Sequence, residues 1–164
     1  MIKLVASWLW FNIFWLVTVM KGGDALWMAV VLLVIGFSFL ERSKAEYTAV
    51  LAIALVGIAV DFLLVTTRVL QFELYQYAPP WLAVLWMGFA IMCRVGLKWS
   101  AQLNSAVRGL IFSIAGVFSY VVAMELSGAS FGVALSTGVF TLASVWFVYG
   151  VLIRWVFIDQ LKPS

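Results

Sequence analysis

Apolar residues run almost without interruption through this chain and give way only at short polar breaks. Six apolar runs stand out: Ile2 to Met20, Ala25 to Leu40, Tyr47 to Thr67, Trp81 to Leu97, Val107 to Met124 and Ala129 to Phe157. About 20 apolar residues let an α-helix cross hydrocarbon, where each backbone N–H and C=O must find its partner inside the segment. A transmembrane barrel would instead show alternating segments of about ten residues. The pattern predicts an all-α polytopic membrane protein: six transmembrane helices forming a single domain over residues 1–164.

The breaks are Lys21-Gly22-Gly23-Asp24, Glu41 to Glu46, Arg68 to Pro80, Lys98 to Ser105, and Glu125 to Gly128. None could hold a second domain. The longest ends at Pro79-Pro80-Trp81, where a proline suits the first helical turn and a tryptophan suits the membrane interface. The first run carries Trp8, Trp10 and Trp15 and has no small-x-small site before Lys21-Gly22, so it is expected to be a retained helix rather than a cleaved signal. Trp27, Trp81, Trp99 and Trp155 fall near run ends and are expected to act as interfacial anchors.

Composition sharpens this class. Hydrophobic residues make up 66% of the chain and charged residues 10%, against roughly a quarter charged in soluble domains. There is no histidine and a single cysteine, Cys93, so this chain has no intrachain disulfide, no His-based metal site and no Ser/His or Cys/His nucleophile pair. No metal and no cofactor are expected. The net charge of +3 sorts by side rather than suggesting nucleic acid. With six alternating runs, Lys3, Arg42, Lys44, Arg94, Lys98, Arg108, Arg154 and Lys162 share one side, and Lys21 and Arg68 the other. The positive-inside rule then places both termini of a multi-pass protein in the cytoplasm.

Asp61 is the acid that this architecture must accommodate. It lies about 20 Å along the third run at 1.5 Å per residue, and a carboxylate near a helix centre costs on the order of 2.5 to 3.5 kcal/mol to insert. Such groups face a bundle interior, pair, or protonate. Arg68 follows seven residues later, close to two turns, on one face with Ala54 and Gly57. Two readings stand. Asp61 and Arg68, with Glu73 or Glu125, line an outward-facing polar pocket; or Asp61 makes a structural contact between helices while Arg68 snorkels to the interface. Glu125, at the outer end of the fifth run, also fits a solvated position, and Asn12 in the first run can bond between helices.

Arg94, Lys98 and Arg108 cluster at the inner ends of the fourth and fifth runs, where a basic patch can hold anionic lipid head groups or simply satisfy topology. Small residues form stripes: Ser105, Gly109, Ser113, Gly116, Ser119 and Ala123 in the fifth run, and Gly132, Ser136, Ala143 and Gly150 in the sixth. Such spacing lets helix backbones approach in lipid, so these two runs are expected to pack closely on each other or on a neighbour.

Asn12 with Trp15, Gly57 with Asp61, Pro80-Trp81 through Leu85-Trp86 to Phe89-Ala90, Gly116 with Tyr120, and Trp146 together resemble an uncharacterised family of small bacterial inner-membrane proteins, a domain of unknown function. The chain departs from that pattern at Val117, where a proline is expected, and at Val122-Ala123, where a glycine is. The resemblance implies a lipid-related role accessory to membrane fatty-acid modification, such as cyclopropanation. Three functions follow as expectations. The first is small-molecule or lipid binding or transport around Asp61. The second is a non-catalytic partner or assembly subunit, recruiting another membrane protein or a second copy through its small-residue stripes. A carboxylate enzyme acting on lipid is least supported, because Asp61 lacks a second placed acid.

Overall fold

A computed structural model describes residues 2–24 and 26–154. Six helices account for most of it: α1 Ile2–Lys21, α2 Leu26–Phe37, α3 Lys44–Thr66, α4 Pro80–Val95, α5 Ser105–Ser127 and α6 Leu135–Leu152. Local chemistry sets several ends. The Ser43 side chain accepts from the Glu46 backbone N–H at 3.2 Å to start α3, and Asn104 Oδ1 accepts from the Val107 N–H at 2.8 Å to start α5. Pro80 opens α4, and Gly128, left-handed at φ 68°, closes α5.

Successive helices run in opposite directions. Lys3, Leu40, Glu46, Arg94 and Lys98 meet at one end of the bundle. At the other end Gly22 lies against Trp81, and a short strand β1, Leu70–Phe72, pairs antiparallel with β2, Ala129–Phe131. This ribbon aligns Leu70 with Phe131 and Phe72 with Ala129, tying the α3–α4 loop to the α5–α6 loop.

Four helices, α1, α3, α5 and α6, are long and apolar enough to cross a bilayer. The other two are shorter than the sequence reading. The 12 residues of α2 span about 18 Å and the 16 of α4 about 24 Å, against a core of roughly 30 Å. Beyond Phe37 the chain tightens into i→i−3 bonds, Ser38 to Ile35 through Leu40 to Phe37, which extend α2 as turns. The sixth run differs at its start: residues 129–131 are β2, and the helix begins only at Leu135. Gly132 is therefore a turn residue and not part of an α6 packing stripe; a Cβ there would fall 2.2 Å from the Arg68 carbonyl oxygen. Trp155 and Lys162 lie outside the described residues.

The best-buried helix is α4, which touches α1, α2 and α3 and buries Ala90, Ile91 and Cys93 completely. Its short length and its burial go together, because α4 is enclosed by protein over most of its surface. The partners α5 and α6 pack along their whole length. Gly109 faces Phe147 and Gly116 faces Trp146, while the Ser113 hydroxyl donates to the Ala143 carbonyl at 2.9 Å.

Candidate functional site

Asp61 is 1% exposed and held by two helices. Trp86 Nε1 on α4 donates to its Oδ2 at 2.7 Å, and the Tyr120 hydroxyl on α5 donates to its Oδ1. Gly57, one turn earlier on α3, makes this possible: a Cβ there would stand 2.0 Å from the Trp86 ring. Trp86 then stacks on Trp146 of α6, with centroids 5.5 Å apart at 16°, and Phe89 meets both edge-on. Gly116 admits Trp146 in the same way, with 2.2 Å between the notional Cβ and the indole. The Tyr149 hydroxyl donates to the Ile53 carbonyl at 3.0 Å and completes the contact of α6 with α3.

The far side of this aromatic group is a cavity of about 260 Å³ between α1, α4 and α5. It is lined by Trp15, Trp86, Phe89, Phe112, Tyr120 and Trp146 among others, reaches Phe72 and Trp81 beside the ribbon, and at its other end meets Leu97 and Trp99. Trp8, Ile111 and Ala115 are exposed and form its rim. The walls are almost wholly apolar. Asp61 does not open into the cavity; it stands behind Trp86 and Tyr120 and fixes how those two walls are held.

Arg68 does not join Asp61. The α3 helix ends at Thr66, and the Val69 N–H bonds the Leu64 carbonyl while the Arg68 N–H bonds the Val65 carbonyl, the closing pattern of a Schellman motif. Arg68 takes the left-handed position of that motif, φ 58°, and is exposed. A seven-residue spacing shares a face only while the helix continues, and here it stops two residues short. Glu125 is exposed at the end of α5, in keeping with a solvated position. Asn12 is also exposed and donates to Trp8 within its own helix at 2.8 Å.

Arg94 and Arg108 each find partners inside the protein. Arg94 is buried and forks onto Glu46, Nη2 to Oε1 at 2.7 Å and Nε to Oε2 at 3.1 Å. Arg108 is buried at the end of α6 and donates to the carbonyls of Gly150 at 2.6 Å, Leu103 at 2.9 Å and Val151 at 3.2 Å. The Gly150 and Val151 carbonyls lie in the last turn of α6, where a helix terminus leaves such groups unpaired, so Arg108 acts as a C-terminal clamp. Both arginines are buried; of the three, Lys98 alone is exposed. Among the described residues no cluster of three or more acidic, Cys or His side chains could hold a metal.

The profile of one family, described as protein of unknown function (DUF2878), matches residues 4–152. The chain belongs to the DUF2878 family. No curated protein and no solved structure matches it. In this DUF2878 protein seven of the residues that carried the resemblance, Gly57, Asp61, Trp86, Phe89, Gly116, Tyr120 and Trp146, come from four helices and meet at one place. No spacing along the chain reveals that convergence, and Trp81, expected as an interfacial anchor, is buried on the cavity wall. The available signal was the repeated pairing of a small residue with a large polar or aromatic one four positions on, Gly57 with Asp61 and Gly116 with Tyr120.

Proposed function

We propose that this protein takes a hydrophobic small molecule or a lipid chain from the bilayer and holds it in the cavity between α1, α4 and α5. In this reading it works as a six-span protein of the bacterial cytoplasmic membrane with both ends inside. The observation that carries the reading is the cavity itself. At about 260 Å³ it exceeds the roughly 150 Å³ that accepts a benzene ring and approaches the roughly 300 Å³ at which ordinary ligand pockets begin. Its rim on α1 and α5 is exposed at positions that would meet acyl chains, so a ligand would enter sideways without crossing water. Asp61 serves as a positioning residue: by accepting from Trp86 and Tyr120 it keeps both rings against the wall.

The test is extraction and mass spectrometry of the protein purified in a mild neutral detergent. One hydrophobic species should co-purify at near-stoichiometric amount, and Ala115→Trp, which fills the rim from an exposed position, should reduce it about tenfold or more, a loss of about 1.4 kcal/mol in binding. Equal lipid content in the variant and the wild type would remove the proposal.

A further inference from the structure

Among the described residues Asp61 is a buried acid with donors but no cation beside it. Its two oxygens receive an indole N–H and a phenol O–H, and the arginine that sequence spacing offered stands beyond the helix end. Among the described residues the ion pair in the structure is Arg94 with Glu46, and Arg108 spends its donors on carbonyls and Ser105. Charged groups at membrane depth are found paired, or lining the path of a charged substrate. The two donors that touch Asp61 are also walls of the cavity, so a positive charge placed there lies one side chain away from the carboxylate. Aromatic lining is also the surface that a weakly hydrated cation prefers to aliphatic lining, and eleven of the cavity's lining residues are Phe, Trp or Tyr.

We infer that the occupant of this cavity is a hydrophobic cation, a fully alkylated (quaternary) ammonium on an apolar body, seated against Trp86, Phe89, Tyr120 and Trp146 with Asp61 as its counter-charge. This rests on the proposed ligand cavity and adds the charge of what fills it. A cation of this kind brings no tightly bound water and needs no hydrogen-bond acceptor in the wall, which suits a cavity with so little polar surface. The carboxylate acts through Trp86 and Tyr120, since a hydrogen-bonded anion behind an indole and a phenol makes their rings more electron-rich.

Three probes with the same chain separate the alternatives: decyltrimethylammonium, decanol and decanoate, titrated by tryptophan fluorescence in dodecyl maltoside, with partition into protein-free micelles subtracted. The cation should bind about tenfold tighter than either of the others, and Asp61→Asn should cut that advantage to about twofold. Asparagine keeps an acceptor for Trp86 Nε1 and a donor for the Tyr120 oxygen, so it removes charge while sparing the wall. Tyr120→Phe keeps the charge and loses one donor, so its cation preference should persist. Equal binding of the three probes by the wild type, tighter binding of decanoate, or an undiminished preference in Asp61→Asn would overturn the inference. Should Asp61→Asn fail to fold, the wild-type order of the three probes together with Tyr120→Phe decides. Equal binding that Ala115→Trp abolishes would leave the cavity standing and remove the cation, whereas no binding of any probe would remove both.

Discussion

Glu46 and Arg94 stand 48 positions apart in the chain and fork onto each other where both side chains are buried. Two charges taken out of water stabilise little as a pair, but either one left behind costs about 3 to 5 kcal/mol. Glu46→Gln should therefore lower the thermal midpoint of the detergent-solubilised protein by roughly 10 °C. The double variant Glu46→Leu with Arg94→Met should lose less than Glu46→Gln alone, because it removes the need for compensation on both sides. Circular dichroism melts of wild type and the two variants measure this, and a loss in the double variant as large as that of Glu46→Gln or larger would show that neither group needs the other as its compensation. Sequence alone could say that Asp61 must turn away from lipid, since that follows from the insertion cost of an acid. It could not say that Arg94 faces Glu46 rather than a head group, because the pairing depends on how α3 lies against α4. Arg68 went astray for a local reason, the Schellman ending of α3, which no spacing argument that assumes a continuous helix can contain.

At the scale of elements, the α5–α6 pair shows why small residues matter in hydrocarbon. Gly116 holds its backbone against the indole of Trp146, and that indole is one half of the stack with Trp86. Gly116→Ala adds one methyl group where 2.2 Å is available, so the seam has to open or the indole has to leave its stack. The expected loss is about 1 to 3 kcal/mol with altered tryptophan emission, measured by thermal melting and fluorescence, and an unchanged melt would mean that the seam yields freely. The apolar runs predicted the helices well because continuous hydrophobicity has few other solutions in a membrane. They overran the ends of α2 and the start of α6, where Leu, Val and Phe are as compatible with a turn or a short ribbon as with a helix. The ribbon of Leu70–Phe72 with Ala129–Phe131 is three residues on each side, too short for any period to register.

For the whole molecule, alternation of direction is the property from which sidedness follows. The end that gathers Lys3, Arg94 and Lys98 also carries the start of α3 and the Arg108 clamp, while the ribbon end has Arg68 and Lys21. A membrane that retains lysine and arginine on its cytoplasmic face would hold the first end inside. The buried thiol of Cys93 makes this testable, since the unmodified protein should not react with an impermeant maleimide. Gln76→Cys, exposed beyond β1, should label on intact cells, and Gln102→Cys, exposed before α5, only after permeabilisation. The shorter α2 decides the number of crossings. Asp24→Cys and Arg42→Cys flank it at exposed positions, and labelling from opposite sides is expected if a helix of about 18 Å, with its following turns, still reaches across by drawing the bilayer thinner around it. Labelling of both from one side would make α2 a re-entrant segment; α3 would then begin on the same face as the α1–α2 loop, and the proposed placement of both ends of the chain inside would fail.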